Sequence, residues 1–186
     1  MAFYPFSYAQ LAPTPWKNGG GVTREIAASG DPFDWRVSIA HVDADGPFSI
    51  FENVDRIIVL LEGTGLHLKA LDGSLDHELS AALQPFSFAG ELPLTATMLG
   101  GPSEDFNVMT RRGWGQASVN IVRETTELAN AVCGLIYAVK GAWSFGSEGG
   151  RLQAGEGLWW DEDISMKTQP IALGSALIVV SWVLAC

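Results

Sequence analysis

The sequence predicts an all-β protein made of two similar halves. Its 21 glycines and 9 prolines are spread along the 186 residues, and short runs of β-branched and aromatic residues lie between them. This punctuation is typical of β-sandwiches and β-barrels. No long stretch repeats its apolar residues with the 3.6-residue period of a helix. A weak internal repeat indicates that one unit occurs twice.

Eleven runs between these breaks are predicted to be strands. Asp72-Gly73 is the clearest turn, because a two-residue hairpin turn needs positive φ angles at its centre. One short helical segment is predicted around Glu124–Ala131. The predicted strands are Val22–Ala28, Trp35–Val42, Arg56–Leu61, Leu66–Leu71, Leu94–Leu99, Asp105–Thr110, Ala117–Val122, Leu135–Val139, Leu158–Trp160, Ile164–Lys167 and Ala176–Leu184.

The internal repeat relates residues 59–68 to residues 138–145. Val59-Leu60-Leu61-Glu62-Gly63 precedes Leu66 and Leu68, as Ala138-Val139-Lys140-Gly141 precedes Trp143 and Phe145. In both segments a strand breaks at glycine and resumes, a cadence typical of a cupin barrel, although other β-barrels share it. We therefore expect one packed unit over residues 1–186. It would contain a first barrel over about 1–113, a connecting segment over 114–131 and a second barrel over 132–186.

The charge of the chain restricts its partners. Eleven basic and 21 acidic residues give a net charge of −10, which repels nucleic acid and anionic membranes. The first residues lack a basic segment followed by an apolar one, so we expect no secretory signal and a cytoplasmic location. The apolar run Ile171–Cys186 is shorter than the roughly 20 residues of a spanning helix. Cys133 and Cys186 are interpreted as ordinary thiols.

Three blocks within residues 14–113 resemble the signatures of one known family. Trp16-Lys17-Asn18-Gly19-Gly20-Gly21-Val22-Thr23-Arg24-Glu25 resembles the opening signature of this family. The second block is Trp35-Arg36-Val37-Ser38-Ile39-Ala40 with Gly46-Pro47-Phe48-Ser49-Ile50-Phe51 and Val54-Asp55-Arg56. The third is Gly101-Pro102 with Asp105-Phe106-Asn107-Val108-Met109-Thr110-Arg111-Arg112-Gly113.

These blocks resemble those of the HutD/Ves family. The resemblance implies a bicupin fold, in which two cupin-like (RmlC-like jelly-roll) β-barrels are fused. For the HutD branch it implies an association with bacterial histidine utilisation, and for the Ves branch a loose association with cold or stress response. Neither branch implies an established catalytic activity. The second half of the chain matches only through the general cupin cadence.

The strand of the third block predicts one polar face. Period-two alternation places Asp105, Asn107, Met109 and Arg111 on the same side. This side is either a solvated outer face or the lining of the barrel mouth, and the resemblance favours the lining. There Arg111 would hold a ligand carboxylate with its planar guanidinium, and Asn107 would orient the ligand.

The other candidate ligand-binding residues lie in the first two blocks. Arg24 lies on the more apolar face of its strand, so it either binds the ligand or pairs with Glu52 or Asp55. The glycines after Asn18 lack the spacing of a phosphate loop and are interpreted as an access loop that brings Lys17 and Asn18 to the pocket. The remaining candidates are Glu25, Ser38 and His41.

The basic residues of the three blocks favour a small anionic ligand. They are six of the eleven in the chain: Lys17, Arg24, Arg36, Arg56, Arg111 and Arg112. Our first hypothesis is a protein that binds a small carboxylate metabolite, such as formylglutamate or urocanate, and takes part in the regulation of histidine utilisation. Lys17, Arg24 and Arg111 would neutralise carboxylates, and Asn18, Ser38 and Asn107 would supply directional hydrogen bonds.

Two alternatives stay open. One is a metal-free cupin enzyme, an isomerase or hydrolase, that acts on a related acid with Glu25, His41 or Asp105 as general base. The other is a non-catalytic stress or regulatory partner protein of Ves type. The expected partner is a small anionic metabolite, and a homodimer is left open.

No metal and no other cofactor are expected. Metal-dependent cupins gather closely spaced histidines and a carboxylate, whereas His41, His67 and His77 show no such spacing. His41 is interpreted as a core or pocket residue, and His67 and His77 flank the predicted hairpin and could face each other across it.

We therefore expect the purified protein to carry no stoichiometric transition metal and to keep its melting temperature when EDTA is added. Metal analysis after purification without a metal-affinity step measures the first, and a thermal melt measures the second. A bound metal whose removal also abolishes ligand binding would contradict this expectation.

Overall fold

The computed structural model describes residues 3–131, 133–162 and 164–185, which form 19 strands and one short 3-10 turn, Tyr8–Gln10. The predicted all-β class is confirmed. The chain divides into two compact units. The N-terminal unit is Ala12–Trp114, and the C-terminal unit combines the residues up to Leu11 with those from Gly115 onward. In the described part of the chain, no helix is long and apolar enough to cross a bilayer.

All eleven predicted strands are present, and the structure adds shorter ones between them. In chain order the strands are β1 (Tyr4–Ser7), β2 (Pro13–Pro15), β3 (Gly21–Gly30), β4 (Phe33–Val42), β5 (Gly46–Pro47), β6 (Val54–Gly63), β7 (Leu66–Ala70), β8 (Asp76–Leu79), β9 (Pro85–Ala89), β10 (Leu94–Met98), β11 (Ser103–Arg111), β12 (Gly115–Val122), β13 (Thr126–Ala131), β14 (Cys133–Lys140), β15 (Ala142–Phe145), β16 (Gly150–Gln153), β17 (Glu156–Trp160), β18 (Ile164–Pro170) and β19 (Ala176–Leu184).

The N-terminal unit contains two antiparallel sheets with a shared apolar core. The larger sheet has the order β2-β3-β4-β11-β6-β9, and the smaller has the order β5-β10-β7-β8. Ile58 and Leu60 of β6 belong to the same buried cluster as Leu66 and Leu68 of β7 and Leu94 of β10. The two sheets therefore form a sandwich of the jelly-roll type and not a continuous closed barrel.

The C-terminal unit repeats this design with sheets of order β1-β17-β14-β19-β12 and β13-β18-β15-β16. Its core contains the fully buried Trp143 and Trp160, packed with Ile136 and Leu177. Strand β1, from the beginning of the chain, pairs antiparallel with β17, and the Tyr4 ring stacks on the Trp159 ring with centroids 4.0 Å apart. The terminal apolar run is the strand β19, as expected.

Two expectations of local structure are wrong. The segment predicted to be helical contains β13, which pairs with β18, so tertiary pairing overrides the local helix preference of Glu127-Leu128-Ala129. The hairpin at Asp72-Gly73 exists, but its loop is longer than two residues, because the Ala70 N–H donates to the Leu75 carbonyl at 2.8 Å. The structure also assigns most of the expected connecting segment to the C-terminal unit, where β12 pairs with β19.

The repeated glycines allow close backbone approach. Gly63 has a φ of +97°, and a Cβ built there would lie 2.3 Å from the Pro102 carbonyl oxygen. Gly141, its counterpart, has a φ of +71°, and a Cβ there would lie 2.1 Å from Ser175 Oγ. Only glycine fits such positions without a shift of the neighbouring chain.

We therefore expect Gly63→Ala to lower the free energy of unfolding by about 3 kcal/mol, because both the φ angle and the overlap oppose a side chain. Gly73→Ala is the matched control, because its φ is +75° but nothing lies within 4 Å of the added Cβ. It should cost only about 1 kcal/mol. Equal losses for the two variants in urea titrations would contradict the assigned role of Gly63.

Candidate functional site

A cavity of about 760 Å³ lies within the N-terminal unit. Its wall combines the inner face of the larger sheet with the access loop and with the segment around β5. The lining residues are Thr14, Pro15, Trp16, Lys17, Asn18, Thr23, Glu25, Arg36, Ser38, Ala40, Val42, Pro47, Phe48, Ser49, Phe51, Arg56, Asp105, Asn107 and Met109.

Strand register arranges the polar side chains of the wall in rows. Ala40, Asp105 and Leu60 are opposite one another on β4, β11 and β6. Two residues further along β11, Asn107 lies opposite Ser38 and Ile58, and the next row contains Arg36, Met109 and Arg56. Because alternate residues point to the same side of a sheet, all of these side chains are on the inner face.

Arg56 is a buried cation at one end of these rows, with only 6% of its surface exposed. One terminal nitrogen donates to Asn107 Oδ1 at 2.9 Å and the other to the Ser49 carbonyl at 3.4 Å, while Nε has no partner. The guanidinium lies 5.0–5.6 Å from the ring centres of Phe48, Phe51 and Phe88, which gives cation–π stabilisation.

The pKa of Arg56 is lowered to about 10, first by burial and then by the positive charge of Arg36. The guanidinium therefore remains protonated at neutral pH. Among the described residues no carboxylate forms an ion pair with it. A buried cation without a counter-ion attracts an anion strongly, because the low local dielectric weakens screening.

Asp105 is the second unusual group of the wall. It is fully buried, and neither of its carboxyl oxygens has a hydrogen-bond partner among the described residues. Its cross-strand neighbours Ala40 and Leu60 are apolar. Burial, assisted by the negative charge of Glu104, raises the pKa of Asp105 to about 7. Asp105 can therefore exchange a proton near neutral pH.

The other charged groups of the wall are nearer the solvent. Arg36 Nε donates to Glu25 Oε2 at 2.6 Å, so these two charges largely offset each other. Lys17 is exposed on the access loop. The cavity thus keeps one buried positive charge, one exposed positive charge and one carboxyl group that titrates near neutral pH.

The access loop holds its shape through local hydrogen bonds. Asn18 Oδ1 accepts from the Gly20 N–H at 3.1 Å, and Trp16 Nε1 donates to Thr23 Oγ1 at 2.8 Å. A Cβ at Gly21 would lie 2.3 Å from the His41 carbonyl oxygen. Lys17 and Asn18, which these glycines were expected to bring to the pocket, are among the residues that line the cavity.

Six of the nine candidate residues line the cavity, and three do not. The six are Lys17, Asn18, Glu25, Ser38, Asp105 and Asn107. Their common placement follows from alternation on β3, β4 and β11, together with the access loop. Whether they bind a ligand remains a prediction.

The placement of Arg111 in the cavity wall is wrong. Arg111 shares the parity of Asp105 and Asn107, but it is the last residue of β11 and lies beyond the cavity. Its guanidinium donates to the backbone carbonyls of Pro32 and Phe33, the latter at 2.6 Å, and lies 3.6 Å from Asp34 Oδ1. It therefore holds the turn between β3 and β4.

Arg24 and His41 are on the opposite sides of their strands from the lining residues. Arg24 alternates with Thr23 and Glu25, which line the cavity. The expected partner Asp55 instead accepts from Arg112 at 2.7 Å. His41 Nε2 is 3.0 Å from Asp43 Oδ1, and 39% of the His41 side chain is exposed. The interpretation of His41 as a core or pocket histidine is therefore wrong.

Sequence reasoning missed the cavity roles of Arg36 and Arg56. Arg56 is on the same face of its strand as Val54, Ile58 and Leu60, so an arginine occupies an inward position among apolar residues. That placement was a usable signal, because an inward arginine needs a partner. The aromatic residues around it, Phe48 and Phe51, follow β5 and could not be assigned to the site without the fold.

His67, His77 and Cys133 lie outside the cavity. His67 Nε2 is 2.6 Å from Asp76 Oδ1, whereas His77 stacks on Phe86, so the two histidines do not face each other. In the described ranges no three His, Cys, Asp or Glu side chains are grouped to hold a metal ion. Cys133 is a buried free thiol whose pKa burial raises to about 12. Cys186 lies outside the described residues.

We expect Asp105→Asn to stabilise the empty protein above neutral pH. Because the pKa of Asp105 is raised on folding, the folded state holds a proton that the unfolded state loses, and the stability of the native protein falls between about pH 4 and pH 7. The variant should lack this loss, which is at most about 4 kcal/mol, since each pKa unit corresponds to about 1.4 kcal/mol. Urea titrations from pH 4 to pH 8 measure it. Parallel stability curves for the two proteins would contradict the assignment.

Comparison with known proteins agrees with this architecture. The family model described as HutD matches residues 8–178. Protein Ves of Cronobacter sakazakii is 37% identical over 160 residues, which cover 84% of this chain and 86% of that protein. The structure of HutD from Pseudomonas fluorescens SBW25 is 26% identical, with a TM-score of 0.87 and full coverage of both chains. The structure of a conserved protein of unknown function from Pseudomonas aeruginosa PAO1 is 28% identical, with a TM-score of 0.88 and full coverage of both chains.

More distant structures share the fold alone. YlbA from E. coli is 8% identical with a TM-score of 0.70, over 97% of this chain and 90% of that chain. An oxalate decarboxylase of B. subtilis is 11% identical with a TM-score of 0.62, over 95% of this chain and 76% of that chain. These likenesses and the two repeated sandwiches confirm the predicted bicupin fold. With its HutD match over most of its length, the chain belongs to the HutD family, which here includes the Ves proteins.

Proposed function

We propose that this protein binds a small carboxylate metabolite in the N-terminal cavity, with the carboxylate at Arg56, and that it does so in the regulation of histidine utilisation. Membership of the HutD family supports the association with histidine utilisation. Formylglutamate and urocanate are the acids to test first, because both are small carboxylates that a cavity of about 760 Å³ can enclose.

The observation that carries this proposal is the buried guanidinium of Arg56. Its Nε has no hydrogen-bond partner, and Asn107 Oδ1 fixes one terminal nitrogen. A carboxylate can approach the cavity side of the guanidinium and form charge-assisted hydrogen bonds. Lys17 at the access loop adds a second positive charge that attracts anions from solution.

Arg56→Met should weaken binding strongly and leave folding nearly unchanged. Loss of a charge that is buried opposite a ligand charge costs about 2–5 kcal/mol, or roughly 30-fold or more in Kd. Methionine loses the cation–π contacts, but its apolar side chain can pack against the three phenylalanine rings, and no buried charge remains without a counter-ion. Isothermal titration calorimetry with formylglutamate and urocanate measures Kd, and a thermal melt measures stability.

Arg111→Met is the matched control, because the same substitution removes hydrogen bonds to the Pro32 and Phe33 carbonyls outside the cavity. It should reduce stability by about 1–3 kcal/mol and leave affinity unchanged. The methyl ester of urocanate, which lacks the negative charge, should not compete for the site. Equal affinities of native protein and Arg56→Met would remove Arg56 from the binding site.

One observation favours a second candidate, a metal-free enzyme acting on a related acid. The pKa of Asp105, raised to about 7, suits a general base at neutral pH. Incubation of the two acids with the protein, followed by mass spectrometry and proton exchange measured by NMR, distinguishes the candidates. Turnover that Asp105→Asn abolishes while binding persists would support the enzyme. Absence of both binding and turnover would favour a partner protein of Ves type.

A further inference from the structure

The binding of a carboxylate at Arg56 does not explain why Asp105 is in the cavity wall. Its carboxyl is fully buried, and both oxygens lack hydrogen-bond partners in the part of the chain that the structure describes. No ion pair joins it to Arg56, although both residues line the same cavity. An ionised carboxyl in this position would repel a second anionic group. Because an unpaired buried charge is costly, the ionised form is stable there only with a hydrogen-bond donor, which none of the described residues provides.

The position of Asp105 relative to Arg56 defines the missing donor. Arg56 reaches to the level of Asn107, with which it shares a hydrogen bond of 2.9 Å. Asp105 and Asn107 are same-face neighbours on β11, so their Cβ atoms are about 6–7 Å apart. A ligand whose carboxylate lies at Arg56 thus extends along β11 until another of its groups meets the Asp105 oxygens.

We propose that the cavity selects acids that carry an N–H donor able to reach Asp105 when their carboxylate lies at Arg56. This inference rests on the proposed function. The ligand class is a carboxylic acid with an amide, ammonium or heteroaromatic N–H group. An acid of the same shape without the N–H leaves Asp105 buried and unpaired, and the site discriminates against it for that reason.

Binding of such an acid is coupled to pH through Asp105. The empty protein holds a proton on this carboxyl below about pH 7, whereas an N–H donor stabilises the ionised form and lowers the pKa in the complex. Below pH 7 binding therefore releases a proton, and affinity falls by up to about tenfold per pH unit. No histidine lines the cavity. The charged groups that face or neighbour Asp105 are Glu104 on β11, Glu25 on β3, Arg36 on β4, Arg56 on β6 and Lys17 on the access loop.

Matched pairs of acids test the inference. Urocanate is compared with 3-(2-furyl)acrylate at pH 8, because the furan ring has similar size and no N–H. Formylglutamate is compared with N-formyl-N-methylglutamate at pH 6, 7 and 8, because neither acid titrates in this range. By calorimetry we expect the N–H member of each pair to bind at least tenfold more tightly at pH 8. For formylglutamate the advantage should fall to less than threefold at pH 6.

Two variants assign these effects to Asp105. Asp105→Asn and Asp105→Leu, which keep the approximate volume, should both remove the pH dependence. Asp105→Leu, which leaves no acceptor, should also reduce the N–H preference to less than threefold, whereas the amide oxygen of Asp105→Asn can still accept from the ligand. Asp76→Asn is the control, because it changes a carboxylate of the same unit that pairs with His67 outside the cavity. It should keep both effects.

The outcomes separate this inference from the proposed function. If both members of each pair bind equally well and without pH dependence, the role of Asp105 is overturned while carboxylate binding stands. A preference that persists in Asp105→Leu also overturns it, since the N–H is then recognised elsewhere. If none of the four acids binds the native protein, both the inference and the proposed function fail.

Discussion

The register of β4, β11 and β6 is the constraint on which the cavity depends. It places Arg36, Met109 and Arg56 in one row, Ser38, Asn107 and Ile58 in the next, and Ala40, Asp105 and Leu60 in the third. A slip of one residue would exchange the faces and turn Phe106 and Val108 into the cavity. The fully buried state of Phe106 and Val108 on the other face fixes the register and thereby positions every polar group of the wall.

The same sheet buries a guanidinium, Arg56, and a carboxyl group, Asp105, without direct contact between them. Arg56 and Asp105 occupy rows that are separated by the Asn107 row, and Asn107 bonds to Arg56 and not to the Asp105 carboxyl. A direct ion pair would neutralise both groups and would leave little to recognise a ligand. The separation of Arg56 from Asp105 destabilises the empty protein. It also leaves both side chains oriented and desolvated before a ligand binds. Preorganisation of this kind reduces the cost of binding.

Alternation and turn residues predicted the fold class, eleven of the strands and six of the nine candidate residues that line the cavity, because these features depend on local sequence. Arg111 shows where this reasoning ends, since its parity is right and its position at the end of β11 takes it to the Pro32 and Phe33 carbonyls. The helix predicted over Glu124–Ala131 failed because its partner, β18, is about 40 residues away in sequence. Pairing between distant strands also determined that Arg36 and Arg56 lie in one row beside Met109, and a single sequence does not reveal this pairing.

The pairing of β1 with β17 has a consequence for the order of events during synthesis. The whole N-terminal unit is an insertion between β1 and the remainder of the C-terminal unit. At roughly 5–20 residues per second, a ribosome needs on the order of ten to thirty seconds to make the chain between these two strands. Once Trp114 has left the ribosome, the N-terminal unit can acquire its native sheets, whereas Tyr4–Ser7 stays without its partner strand until β17 is translated.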